Sequence, residues 1–105
     1  MDIPEIEIAE LESRLAAGSL LLDVREDDEW ATAHIDGATH VALATIPDRL
    51  SELSSDTPIY VICARGARSA RAVEFLRHQE IEAINVAGGM MAWLDAKKPS
   101  ISGRA

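Results

Sequence analysis

Three short apolar runs limit what this chain can fold into: LLLDV at residues 20–24, IYVIC at 59–63 and AINVA at 83–87. The first is continuous rather than alternating, as expected of a strand covered on both faces. The second is β-branched and aromatic and carries the strongest strand signal in the chain. Two weaker strand candidates join them, an alternating edge segment at 4–8 (PEIEI) and THVAL at 39–43.

Helical patterns occupy the intervals. Residues 9–18 place Leu11 and Leu15 four apart and stop at Gly18, and 26–34 opens with acids suited to a helix N-terminus. A turn at 35–38, a short helix at 46–53 and a turn cluster at 54–58 follow. Ala72, Val73, Phe75 and Leu76 form an apolar stripe on a helix over 69–78, and a last helix covers 90–98 after Gly88 and Gly89. Strands that alternate with helices are joined most simply as parallel strands with helical crossovers. The expected fold is α/β: one mainly parallel five-stranded sheet with helices on both faces, a single domain over 1–105, and a flexible tail at 98–105.

Charge and cysteine content narrow the function. The net charge of −8 argues against nucleic acid or an anionic membrane as partner, since both favour a basic surface. One cysteine cannot form an internal disulfide, so nothing calls for an oxidising compartment. The acidic start (MDIPEIEIAE) lacks the pattern of a secretion signal, and no apolar run approaches the roughly 20 residues of a membrane span. These features imply a soluble, cytoplasmic domain.

That single cysteine, Cys63, closes the strongest strand, and in open α/β sheets ligands bind at the carboxyl ends of strands. The loop after it runs Ala64, Arg65, Gly66, Ala67, Arg68, Ser69 and leads into a helix. Residues 63–77 contain Arg65, Arg68, Arg71 and Arg77, opposed only by Glu74. A buried packing cysteine belongs inside a strand, and a solvated helix face explains Arg71 and Arg77 but not the two arginines in the loop. Loop amides, a helix N-terminus and arginines together favour a thiolate, lowering a cysteine pKa from about 8.5 into the range ~3.5–7.5. The pattern reads as an anion-binding thiolate site.

The segment VICARGARSARAVEFLRHQEIEAINVAGGMMAW resembles the rhodanese family, with its Cys-x-x-Gly-x-Arg-Ser loop and Gly-Gly-x-x-x-Trp segment at Cys63, Gly66, Arg68, Ser69, Gly88, Gly89 and Trp93. Upstream, LLLDVREDDEWATAHIDGA is similar to the family's first signature through Asp23, Val24, Arg25, His34, Ile35, Gly37 and Ala38. Two departures stand out: Ala33 replaces a glycine before His34, and THVAL replaces an Asn-x-Pro after Ala38. The family resemblance implies sulfur transfer through a Cys63 persulfide, with no cofactor and no metal. Thiosulfate or another small anionic sulfur donor, a thiol or cyanide acceptor, or a protein sulfur partner would be the implied reactants.

Related phosphatases have the longer Cys-x5-Arg loop, whereas here four residues separate Cys63 from Arg68 and Ser69 holds the position that arginine would need. A phosphoryl group carries three equatorial oxygens and requires a wider cradle, so loop length favours sulfur over a phosphatase- or arsenate-reductase-like reaction. A sulfur carrier module would need the same cysteine and stays open beside the enzyme. By the resemblance, amides from Ala64 to Ser69 hold the sulfur, Arg65 stands at the mouth, and Arg68 braces the loop against Asp23. Arg25 is expected to reinforce the positive mouth. His34 is expected to order a turn, and Trp30 and Trp93 to pack. Met90 and Met91 line the pocket or the core.

Overall fold

The computed structural model describes residues 3–53 and 56–103. Five strands form one sheet in the order β1-β5-β4-β2-β3: β1 Glu5–Ile6, β2 Leu20–Asp23, β3 Thr39–His40, β4 Ile59–Ile62 and β5 Ala83–Val86. Every pairing is parallel. The central strand β4 is buried at all four positions, which is why its sequence shows no polar alternation. Four α-helices accompany the sheet: α1 Ile8–Ala16, α2 Asp27–Thr32, α3 Ala67–His78 and α4 Gly89–Asp95. The segment expected as a short helix at 46–53 is a longer 3-10 stretch, Leu43–Leu53, with Pro47 inside it and a non-helical Arg49. Of the turn expected at 54–58, Ser54 and Ser55 lie outside the described residues.

Side chains alternate across the sheet and divide the core in two. On one face Leu22, Ile59, Val61, Cys63 and Ala83 pack with Ala72, Val73 and Leu76 of α3 and with Ile46 and Leu53. On the other, Leu21, Tyr60, Ile62 and Val86 pack with Leu11 of α1 and Met90 and Trp93 of α4. Cys63 thus points to the α3 face by parity, directly beneath that helix's first turn. Among the described residues no helix is long and apolar enough to cross a membrane.

The tail differs from its expectation. Residues 98–103 are fastened to the body: Ile101 forms an antiparallel bridge with His34, Trp93 Nε1 donates to Pro99 O at 2.8 Å, and Gly103 N donates to Ala31 O at 2.8 Å. Composition at a chain end gives no sign of these backbone partners. Arg104 and Ala105 lie outside the described residues.

Where α4 meets the loop after β4, the chain has room only for glycine. The N–H groups of Met90 and Met91 donate to Cys63 O and Ala64 O at 2.8 and 2.9 Å. A Cβ at Gly89 would lie 2.4 Å from Cys63 O and 2.7 Å from Ala64 C, and Gly89 has φ +57°. Gly89→Ala should therefore cost about 2 kcal/mol or more, from backbone strain plus collision with the loop. At Gly37 (φ +88°) an added Cβ meets nothing within 4 Å, so Gly37→Ala should cost only the strain. Urea midpoints of the two variants measure the difference.

Candidate active site

The helix α3 begins without a side-chain cap. The N–H of Ser69 in its first turn, with those of Arg65 and Gly66 just before it, is turned toward the sulfur of Cys63. Gly66 N donates to Sγ at 3.0 Å and the Ser69 hydroxyl lies 3.3 Å from it. Gly66 makes this geometry possible: with φ +109° it folds the chain back over the sulfur in a conformation that favours glycine.

Cys63 is 1% exposed, and burial pushes its thiol up. The Ser69 hydroxyl and the N–H groups of Ser69, Gly66 and Arg65 outweigh that, and the thiol ends below its ordinary value. Every donor opposing burial comes from the loop itself.

The structure gathers Cys63, Ala64, Arg65, Gly66, Ala67, Arg68 and Ser69 into this one loop and helix start. Ala64 is half-buried and ties the loop to α4 through its carbonyl, while Ala67 begins α3. Arg65 is exposed at the rim, with no hydrogen bond or ion pair recorded for its side chain among the described residues.

Arg68 does brace the loop, but against a different carboxylate from the one expected. Its Nη1 and Nη2 donate to Glu29 Oε1 and Oε2 at 2.6 and 2.8 Å. Glu29 also accepts from Glu26 N at 3.0 Å as the closing half of the α2 capping box. The Arg68 hydrogen bonds hold the Glu29 carboxyl down at about 2 and raise the Arg68 guanidinium.

Asp23 is paired with Arg25 instead, Nη2 to Oδ2 at 2.7 Å, and the two side chains are only 1% and 6% exposed. Arg25 Nη2 also donates to Ala33 O at 2.7 Å, and Nη1 to Glu29 O at 3.3 Å. Its guanidinium is thus committed to Asp23 and to the carbonyl end of α2, so it does not act as a free cation at the mouth. The sequence placed Asp23, Arg25 and Arg68 in one neighbourhood; the pairing depended on where α2 sits over the strand ends.

Trp30 stacks with two imidazoles, His34 with ring centroids 3.6 Å apart and His40 at 4.7 Å. Each histidine bonds a backbone carbonyl, Nδ1 of His34 with Trp30 O and Nε2 of His40 with Arg25 O, both at 2.7 Å. These rings order the α2 region rather than reach the sulfur.

Three residues of the site were missed from sequence. Glu29 carried a signal, because Glu three positions after Glu26 fits a capping box, although that does not reveal its Arg68 partner. Asn85 is 1% exposed, bonds the Ser69 hydroxyl through Oδ1, and donates through Nδ2 to Glu5 Oε2 at 2.9 Å and Gly66 O at 3.3 Å. A polar residue amid an apolar strand, as in AINVA, is the only signal for it. Glu5 had none.

Beside the loop a groove of about 270 Å³ runs between α2 and α4, lined in part by Arg25, Thr32, Ala64, Met91 and Leu94. Met91 and Leu94 are exposed there, and Met90, packed in the core, also lines it. A hollow of about 310 Å³ lies elsewhere, between α1 and the tail beside Trp93, and does not include the cysteine loop. Of the cysteine loop, Ala64 lines the first of these two hollows.

This cysteine cradle on a parallel α/β sheet is shared with known proteins. The Rhodanese-like domain family matches residues 7–96. The chain is 39% identical over 101 residues to the Bacillus subtilis protein named "Putative sulfurtransferase YtwF", covering 94% of this chain and 98% of that one. It is 37% identical to "Putative sulfur carrier protein YrkF" of the same organism, covering 87% of this chain but 51% of that longer one. The crystal structure of a rhodanese-related protein from Thermoplasma volcanium superposes with a TM-score of 0.88 at 32% identity, covering 93% of this chain and 97% of that one. The chain belongs to the rhodanese-like family of sulfurtransferase-related domains.

Two stability measurements check the ion pairs. Asp23→Ala leaves a buried guanidinium unpaired and should cost about 3–5 kcal/mol, whereas Asp23→Leu with Arg25→Met should recover most of that; urea denaturation of the three chains measures it. Glu29, with its carboxyl lowered from 4.5 to about 2, stabilises the fold fully above pH 4.5 and loses that contribution as pH falls through about 2. Thermal midpoints across this window should fall less steeply in Glu29→Gln than in the wild type.

Proposed function

We propose that the protein is a sulfurtransferase that moves sulfane sulfur through a persulfide on Cys63. The observation that carries this reading is the cradle around one sulfur: the loop amides, the Ser69 hydroxyl and the uncapped start of α3 all favour a thiolate at a strand end. The Cys63 thiolate attacks the outer sulfur of a small anionic donor such as thiosulfate. A new S–S bond forms to Sγ, the donor's S–S bond breaks, and sulfite leaves with the electron pair. A thiol or cyanide acceptor then attacks the terminal sulfur, and Cys63 departs as thiolate. This is covalent catalysis with ping-pong kinetics, and no electrons are needed from outside.

At 1% exposure the sulfur reaches a donor only when the surrounding loop parts. Arg65, exposed at the rim, attracts the anion. Arg68 is held by Glu29, so its charge is largely neutralised and it sets the loop's shape rather than binding the donor. The six-residue loop from Cys63 to Arg68 supports sulfur over phosphate as cargo. The reading places the reaction in the cytoplasm, where a lone thiol stays reduced.

A second reading, a persulfide carrier that accepts sulfur from a protein and passes it on, is favoured by the likeness to a protein named as a sulfur carrier. The exposed Met91 and Leu94 beside the loop would suit such contact. A thiosulfate:cyanide assay discriminates: turnover supports the enzyme, and a persulfide that forms only from a protein donor supports the carrier.

Cys63→Ala should abolish transfer while the chain still folds, at some cost in stability from the lost acceptor of the loop donors, and a mass gain of one sulfur atom on thiosulfate treatment should vanish with it. Turnover above background in that variant would sink the mechanism. Arg65→Ala should raise KM for thiosulfate several-fold with little change in kcat, because a rim charge binds ground and transition states alike. Added salt should weaken capture in the wild type more than in this variant, since exposed charges are screened over about 8–10 Å.

A further inference from the structure

The Ser69 hydroxyl has one hydrogen and two neighbours able to take it. Its Oγ lies 3.3 Å from Cys63 Sγ and within hydrogen-bonding distance of Asn85 Oδ1, and all three residues are buried. The amide of Asn85 is not free to turn away from this competition. Its two N–H groups are taken by Glu5 Oε2 at 2.9 Å and Gly66 O at 3.3 Å. Turned over, its carbonyl would face a carboxylate and another carbonyl, so Oδ1 is fixed toward Ser69.

The sheet explains the constellation. Glu5 pairs in register with Asn85, and Asn85 with Val61, two residues before Cys63. Neighbours in register on parallel strands point to the same face, so Glu5, Asn85 and Cys63 share the face that α3 covers, with Asn85 and Cys63 meeting Ser69 in its first turn.

We infer that Asn85 is a positioning residue for Cys63, serving as the alternate acceptor for the Ser69 hydrogen. While the sulfur is a thiolate, the hydroxyl donates to Sγ. When the sulfur is a neutral thiol or carries a second sulfur, it is a weak acceptor, and the hydrogen returns to Asn85 Oδ1. Both halves of a ping-pong cycle then keep the buried hydroxyl bonded, and neither state is favoured at the other's expense. Without Asn85 the hydrogen has only Sγ to serve, which over-stabilises the thiolate and makes it a poorer nucleophile. The inference rests on Cys63 acting as a thiolate, but not on any particular sulfur donor.

The other charges near the loop stay in place when Asn85 is changed. Arg68 acts on the sulfur through space and is held by Glu29, Arg65 is exposed at the rim, and Asp23 and Arg25 neutralise each other. Glu5 is the one charged group joined to the site through Asn85 itself.

The test is the pH dependence of iodoacetamide alkylation at Cys63, the only thiol, in the wild type, Ser69→Ala, Asn85→Ala and the double variant. Ser69→Ala should move the midpoint up by about one to two pH units, the worth of one hydrogen bond to a charged sulfur. Asn85→Ala should move it down by about half a unit and lower the alkylation rate at the high-pH plateau. In the Ser69→Ala background the Asn85 change should do nothing. A midpoint unmoved by Asn85→Ala, or moved equally with and without the Ser69 hydroxyl, overturns the inference.

Should Asn85→Ala fail to fold, two changes at exposed Glu5 decide instead. Glu5→Gln removes charge but keeps an acceptor for the amide, whereas Glu5→Ala also frees the amide to turn. A lower midpoint in Glu5→Ala than in Glu5→Gln supports the relay, and equal midpoints refute it. Because alkylation needs no sulfur donor, the relay can stand or fall independently of whether thiosulfate is turned over.

Discussion

The sulfur of Cys63 does for α3 what a serine or aspartate side chain does for most helices. The helix has no side-chain cap from its N-cap residue, and the amides of Arg65, Gly66 and Ser69 around its start converge on Sγ. A helix start needs an acceptor and a buried thiolate needs donors, so each meets the other's requirement. Most of the local sequence follows from that exchange. Gly66 gives the reversal that brings the amides round, Ser69 adds a hydroxyl from the first turn, and Gly89 lets the amides of α4 reach the loop carbonyls from behind. In the proposed mechanism this cap is also the nucleophile, which ties stability to reactivity: changes that loosen the loop reduce the donors that lower the thiol's pKa.

Around this centre the charges are arranged in layers. Arg25 is buried against Asp23 and closes the carbonyl end of α2, which fixes that short helix over the strand ends. Glu29 of α2 then reaches across to Arg68 and anchors the beginning of α3. Of the three arginines near the mouth, two are occupied in holding the architecture, and Arg65 remains available to an incoming anion. In the proposed reaction Arg65 is thus the exposed cation beside the cysteine of an otherwise acidic protein.

The strand runs at 20–24, 59–63 and 83–87, the alternating helices, the mainly parallel connection they favour, and the position of Cys63 at the end of the best strand were legible in the residues themselves. Propensity and local periodicity act over a few neighbours, and so does the short separation from Cys63 to Arg68 that defines the loop. The 3-10 character of Leu43–Leu53 and the fastening of residues 98–103 were not legible, since they depend on what packs beside them.

Pairing was decided only by the tertiary structure. Arg68 had Asp23 and Glu29 as candidate partners at distant positions in the chain. Its choice follows from the seating of α2, which Arg25 controls by taking Asp23 for itself. Asn85 looked like an interruption in an apolar strand until the register with Glu5 and the overhanging turn of α3 gave each of its polar atoms a partner. The sequence by itself determined the elements, their order and the place of the lone cysteine at a strand end, because these depend on local backbone chemistry. Which carboxylate meets which guanidinium, and which hydroxyl answers to which amide, rests on distances of about 3 Å between residues far apart in the chain. Only the packed sheet and helices set those distances.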